Sequence, residues 1–219
     1  MKQEVPVVGL RPCRLAVLVS GSGTTLQALI DAIEADVLPA EVALVISSRR
    51  DVLALERARR HGIPAHVLRP RDFANSDEYD AALCSLLEQA QPDLVVLAGY
   101  LSILGAKVMA QFDGRIMNIH PSLLPAFGGR GCFGHHVHRQ VLDYGCKVSG
   151  VTVMFVDSNV DTGPIILQEA VEVKDDDTVE SLARRIGEIE RRLYPAAVRL
   201  FAQGRLSVAG RRVRISEGR

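Results

Sequence analysis

The sequence predicts an α/β fold: a mostly parallel, twisted sheet flanked by helices, with an antiparallel strand and hairpin portion toward the C-terminus. Three observations lead there. Short, continuous apolar runs such as Leu15 to Ser20 and Asp93 to Ala98 have the character of strands buried on both faces. Segments with apolar residues at helical spacing alternate with such runs through the first half of the chain. From Val148 onward the alternation stops, and two strands follow each other with no long helix between them.

The first strand, Leu15 to Ser20, stops at Gly21-Ser22-Gly23. A helix is expected from Thr24, with Leu26, Leu29, Ile30 and Ile33 on its apolar face. Glu41 to Ser47 is the second strand, and the helix from about Val52 to His61 is stopped by Gly62 and Pro64. Ala65 to Leu68 reads as a short strand, Tyr79 to Gln91 as a helix and Asp93 to Ala98 as a strand. A short helix from Leu104 to Phe112 leads into a strand from Arg115 to His120. Val148 to Asp157 and Ile165 to Val173 are the successive strands of the second half. Thr178 to Gln203 forms a long helix with a candidate break at Pro195, and Leu206 to Ile215 a hairpin turning at Ala209-Gly210. With no repeat and no low-complexity linker, residues 1–219 read as one domain in two halves, about 13–115 and about 116–219.

Composition narrows the function classes. Lys plus Arg number 26 and Asp plus Glu number 26, so no global field draws the chain to nucleic acid or to a membrane surface. The absence of Trp and an aromatic content of 5% argue against a surface that stacks bases. Cys13, Cys84, Cys132 and Cys146 are scattered and contain no C-x-x-C pair, so a disulfide framework is not expected. Residues 1–12 have no long apolar segment of the kind a signal peptide needs, and no apolar run approaches the ~20 residues that span a bilayer. A cytoplasmic location follows as the expectation. An anionic ligand must then be held locally, by a loop or a helix end.

Three segments are able to carry chemistry. Ser20-Gly21-Ser22-Gly23-Thr24-Thr25 lies between a strand and a helix, where small residues admit a phosphate to N–H groups at the helix start. A tight βα turn explains the same glycines. A dinucleotide fingerprint fits less well, since its third glycine would fall on Leu26, although Arg49 and Arg50 leave a 2′-phosphate possible. In Asn118-Ile119-His120-Pro121, residues two apart on a strand point the same way, so an amide and an imidazole project together at the carboxyl edge of the sheet. That pair suits an oxyanion formed in acyl transfer, and a histidine merely satisfied at a strand end is the plainer alternative. In Asp157-Ser158-Asn159-Val160-Asp161-Thr162-Gly163-Pro164, Asp161 is either a turn former or a carboxylate that pairs with an imidazolium. The His135, His136 and His138 cluster matches no zinc spacing, and no metal is expected.

Taken together, LAVLVSGSGTTLQALI, DLVVLAGYLSIL, IMNIHPSLLP, VDTGPIILQ and ERRLYP make the chain resemble the folate-dependent glycinamide ribonucleotide formyltransferase family, from Leu15 to about Ile215. The resemblance implies a Rossmann-like formyltransferase fold and an enzyme that moves a formyl group from 10-formyltetrahydrofolate to the amine of glycinamide ribonucleotide. It implies a catalytic set of Asn118, His120 and Asp161, and a phosphate loop of Gly23, Thr24 and Thr25 in a nucleotide-binding first half. Folate contacts would come from Leu101, Ser102, Ile103, Leu104, Asn118, Val156, Asp157 and Asp161, and a contact to the ribonucleotide from Glu190. The resemblance calls for two small-molecule substrates and no metal.

The departures are informative. Thr25 stands where some relatives carry Asn, and Ser76 and Ser102 stand where arginine occurs in part of the family. The stretch Phe127 to Gly134 is longer than in compact members, and Arg130 and His136 are candidate substrate contacts there. Formyltetrahydrofolate deformylase is the nearest alternative, expected to carry an N-terminal regulatory domain for which the residues before Leu15 are too few. Methionyl-tRNA formyltransferase adds a C-terminal RNA-binding domain, for which the chain is too short. A non-catalytic nucleotide binder is the reading from another class, and it predicts indifference to His120.

Overall fold

The computed structural model describes residues 2–4 and 11–217. Residues 1 and 5–10, part of the stretch read above as lacking a signal segment, and residues 218–219 lie outside that description. The strands are β1 (Lys2–Glu4), β2 (Cys13–Val19), β3 (Ala40–Ser47), β4 (Ala65–Val67), β5 (Leu94–Ala98), β6 (Ile116–His120), β7 (Val148–Phe155), β8 (Ile165–Glu172), β9 (Leu206–Ala209) and β10 (Arg212–Ile215). The helices are α1 (Thr24–Glu34), α2 (Leu53–Arg60), α3 (Ser76–Ala90), α4 (Ala106–Gln111), α5 (His135–Asp143) and α6 (Val179–Ala202).

Among the described residues the strands form one sheet in the order β1-β9-β10-β8-β7-β6-β5-β2-β3-β4. The run from β6 to β4 is parallel throughout. β7 is antiparallel to both β6 and β8, and β9 is antiparallel to both β10 and β1. The α/β class and the antiparallel C-terminal portion are therefore as expected from the sequence.

Two apolar cores sandwich the sheet. On β2, Leu15, Val17 and Val19 join one core, with α1, α2, α5 and α6 over it, while Ala16 and Leu18 join the other, under α3 and α4. This two-sided burial explains why β2 reads as a continuous apolar run, and a one-residue slip would exchange both faces at once.

Several elements differ from the sequence reading. α3 starts at Ser76, because the Asn75 side chain accepts from the Glu78 N–H at 2.9 Å and caps the helix. α4 begins at Ala106, and β7 ends at Phe155. α5 occupies the histidine-rich stretch where no helix was expected, and its buried residues Val137, His138 and Val141 follow the i, i+1, i+4 pattern of a one-sided helix. The break anticipated at Pro195 does not occur, since α6 runs through it from Val179 to Ala202. Proline removes one backbone hydrogen bond, and packing of the buried neighbours Leu193, Tyr194, Ala197 and Val198 offsets that loss. Tyr194 also donates its buried hydroxyl to the carbonyls of Leu97 at 3.0 Å and Met117 at 2.7 Å, tying α6 to β5 and β6.

Candidate active site

Chain order reverses between β2 and β5, so the carboxyl ends of these strands flank a topological switch point, where open α/β sheets bind ligands. A cavity of about 720 Å³ opens there, bordered by Gly21 beyond β2, by Leu97 and Ala98 of β5 and by Asn118 and His120 of β6.

One rim is the start of α1. Gly23 has φ of 71°, and a Cβ there would lie 2.7 Å from both the Cα and the Cβ of Ala54. Only glycine allows this turn to seat against α2. Arg57 braces the loop by donating to the Ser22 carbonyl and to Gln27 Oε1, both at 3.0 Å. The first hydrogen bond into the helix is Gln27 N–H to Gly23 carbonyl at 2.9 Å. The N–H groups of Thr24, Thr25 and Leu26 therefore have no acceptor within the helix and suit an anion.

At the centre lie the three residues singled out from two distant segments. His120 and Asp161 have side chains only 5% and 7% exposed, and His120 Nδ1 is 3.4 Å from Asp161 Oδ2. Asn118 Nδ2 points to Asp161 Oδ1 at 3.4 Å. His120 Nε2 lies 2.8 Å from the Phe127 carbonyl, so each ring nitrogen faces an acceptor. Asp161 Oδ2 accepts the Gly129 N–H at 2.9 Å. The glycine-rich stretch is thus fastened to both side chains of the pair. A Cβ at Gly128 would meet Leu124 Cδ2 at 2.5 Å and Asp161 Cβ at 3.3 Å, so a larger residue there must displace the Leu124 side chain.

The turn-former role goes to Asp157, not Asp161. Asp157 Oδ1 accepts from the Asn159 N–H at 3.1 Å and from the Thr162 hydroxyl at 2.6 Å, folding the loop on itself. Asp161 sits in a left-handed conformation with φ of 56°, and this turns its carboxylate inward.

The opposite rim is residues 99–104, including Leu101, Ser102, Ile103 and Leu104, all bordering the cavity along with Val156 and Asp157. Two buried polar residues that sequence reasoning missed hold this rim. Ser20 Oγ accepts the Leu101 N–H at 3.0 Å and bonds Ser48 Oγ at 2.6 Å. Buried Asp80 accepts the N–H groups of Gly105 at 3.0 Å and Lys107 at 2.7 Å, satisfying the start of α4. An acidic residue inside an amphipathic helix was the available signal for Asp80, and its partner lies 25 residues away.

Glu190 of α6 and His138 of α5 complete the wall. Burial pushes the Glu190 carboxyl up to about 7, against a smaller opposing effect of Arg191. Arg130 borders the cavity; His136 does not, and its ring packs edge-on against Phe133 at 5.1 Å. Among the described residues no group of three or more His, Cys, Asp or Glu is placed to hold a metal ion.

A second cavity of about 830 Å³ adjoins this rim, with Leu101 and Ser102 bordering both. Arg49, Arg50, Arg69 and Arg71 line it. Arg69 pairs with Asp72, holding that carboxyl below its usual range, and the other three guanidinium groups form no hydrogen bond or ion pair with described residues. These arginines stand on the segments that follow β3 and β4, and Ser102 lines the same cavity.

Comparison with known proteins extends these findings. Residues 13–198 match the formyl transferase family. The phosphoribosylglycinamide formyltransferase of Mycobacterium tuberculosis is 41% identical over 211 residues, which is 96% of this chain and 95% of that protein. The human trifunctional purine biosynthetic protein adenosine-3 is 43% identical over 194 residues, covering 89% of this chain but only 19% of its own length. Among solved structures, glycinamide ribonucleotide transformylase 1 from Symbiobacterium toebii superposes with a TM-score of 0.90 at 50% identity, covering 94% of this chain and 95% of that one. A formyltetrahydrofolate deformylase from Pseudomonas syringae superposes with a TM-score of 0.86 at 26% identity, covering 95% of this chain and 67% of that one.

Proposed function

The chain belongs to the formyl transferase family, and from that premise we propose that it transfers the formyl group of 10-formyltetrahydrofolate to the amine of glycinamide ribonucleotide, a step of purine synthesis. The observation that carries the proposal is the meeting of Asn118, His120 and Asp161 between the N-terminus of α1 and a partly apolar rim. The nucleotide's phosphate goes to Gly23, Thr24 and Thr25, and Glu190 faces the rest of the ribonucleotide. The folate lies along Leu101 to Leu104 and against Val156 and Asp157. Its acidic tail is drawn toward the arginine-lined cavity, so that Arg49, Arg50 and Arg71 take over from arginines absent at Ser76 and Ser102. On this reading the half of about 13–115 binds phosphate and supplies the Leu101 to Leu104 folate rim, and the half of about 116–219 supplies the catalytic residues, the remaining folate contacts and Glu190.

Chemistry follows from the donors. The substrate's neutral amine attacks the formyl carbon and a tetrahedral oxyanion forms. The Asn118 amide and the His120 imidazolium stabilise it, while Asp161 orients His120 and balances its charge. In the resting protein Asn118 Nδ2 faces Asp161 and His120 Nε2 faces the Phe127 carbonyl, so the oxyanion must replace those partners. Proton transfer to the folate nitrogen then releases tetrahydrofolate. Neither a nucleic acid nor a membrane takes part. A cytoplasmic setting fits the four cysteines, all of which are free thiols.

The test is formyl transfer by the purified, metal-free protein, with each substrate omitted in turn. Tetrahydrofolate release that requires glycinamide ribonucleotide supports the proposal. Release without it would favour hydrolysis, the reaction of the deformylase relative. No release in either case would overturn both readings.

A further inference from the structure

Two buried side-chain polar atoms have no hydrogen-bond partner among the described residues, Ser149 Oγ and His138 Nδ1. Ser149 lies away from the cavity, whereas His138, only 4% exposed, is part of its wall. A buried imidazole with an idle nitrogen beside a ligand cavity is costly to the free protein, and a bound ligand can relieve that cost.

We infer that His138 contacts the ribonucleotide substrate, hydrogen-bonding the uncharged, hydroxyl- and amide-bearing part between its phosphate and its reacting amine. The inference rests on the formyl-transfer reading and adds a residue to it. Position is the first argument. His138 comes from α5, Glu190 from α6 and Thr24 from α1, and these three helices cover the same face of the sheet. Leu104 and Val156, on the folate rim, pack instead against the core of the opposite face. His138 therefore belongs to the phosphate side of the cavity.

Its chemistry is the second argument. Burial, reinforced by neighbouring His135 and His120, pushes the ring down to about 4, so it is neutral at physiological pH. A neutral imidazole offers one N–H donor and one acceptor nitrogen. That pairing matches a hydroxyl or an amide, which both give and take hydrogen bonds. It does not match a phosphate, which the helix start serves, nor an ammonium, which a carboxylate would attract.

The experiment compares wild type with His138→Phe, which keeps a planar ring without nitrogens, and His138→Asn, which keeps a donor and an acceptor. Calorimetric binding of glycinamide ribonucleotide without folate is measured beside KM for each substrate, with thermal melting as a check on folding. The expected result is ribonucleotide Kd and KM raised about three- to tenfold in His138→Phe, substantial recovery in His138→Asn, and folate KM within twofold of wild type. Unchanged ribonucleotide binding in a folded His138→Phe overturns the inference and leaves the formyl-transfer reading intact. So does a loss shared equally between the two substrates. If wild type itself binds no ribonucleotide, the formyl-transfer reading fails and takes the inference with it.

Discussion

Replacing Asp161 by asparagine is the sharpest probe of the site, because size is conserved and the pattern of charge and donors is not. Three groups converge on this carboxylate: His120 Nδ1 and Asn118 Nδ2 at 3.4 Å, and the Gly129 N–H at 2.9 Å. All three are donors when the ring is an imidazolium. Asparagine offers one acceptor oxygen, so its NH₂ must confront at least one donor. At 3.4 Å, with an effective dielectric constant of about 20, opposite unit charges attract by about 5 kcal/mol. Desolvation of both groups offsets part of this, leaving about 2–4 kcal/mol of oxyanion stabilisation dependent on Asp161. The turnover number should therefore fall by about 30- to 1000-fold, with KM for either substrate changed far less. Steady-state formyl transfer reads both quantities, and a melting curve separates chemistry from misfolding. A folded Asp161→Asn protein with turnover within threefold of wild type would refute the argument that this carboxylate orients His120 and supports the oxyanion site.

Other consequences are equally open to measurement. Glu190, raised by burial from 4.5 to about 7, keeps its proton in the folded protein over a pH range where the unfolded chain has released it. Its stabilising contribution is present below about 4.5 and is lost as the pH rises to about 7, so denaturant titrations of Glu190→Gln should gain about 2 kcal/mol on wild type between pH 5 and pH 8. A parallel pH dependence in both proteins would contradict the buried-carboxyl account. The double change Arg49→Gln with Arg50→Gln should raise folate KM about five- to tenfold at low salt, less at high salt, and leave ribonucleotide KM alone. An effect confined to the ribonucleotide would place the arginine-lined cavity on the wrong substrate. Tyr194→Phe strips the donor from two buried carbonyls and should cost about 1–3 kcal/mol in urea unfolding; a neutral result would mean that the Leu97 and Met117 carbonyls find other partners.

Much of this protein is written in its local pattern. Strands buried on both faces must be apolar throughout, so β2 and β5 stand out as continuous runs, and Gly23 and Thr24 mark a strand-to-helix junction. The two-residue period of a strand sets Asn118 and His120 on one side of β6. Local pattern fell short wherever a long-range contact outweighed propensity. Pro195 does not break α6, because the helix is held by the buried residues around it and by the bonds of Tyr194 to two strands. α5 was hidden because its length of nine residues and its three histidines give a weak apolar signal.

The site divides in the same way. Types and spacing of Asn118, His120 and Asp161 were legible along the chain, since each segment carries its own turn and strand signals. Their convergence was not. Asp161 reaches His120 only because β7 returns antiparallel beside β6, and a left-handed residue then turns the carboxylate inward. The exchange of roles between Asp157 and Asp161, the support of the rim by Ser20 and Asp80, and the gathering of Arg49, Arg50, Arg69 and Arg71 around one cavity belong to the same class. Sequence determines what each segment prefers, because propensity and periodicity act over a few residues. Only the packed sheet decides which side chains meet, because burial makes each polar group find its partner wherever in the chain it lies.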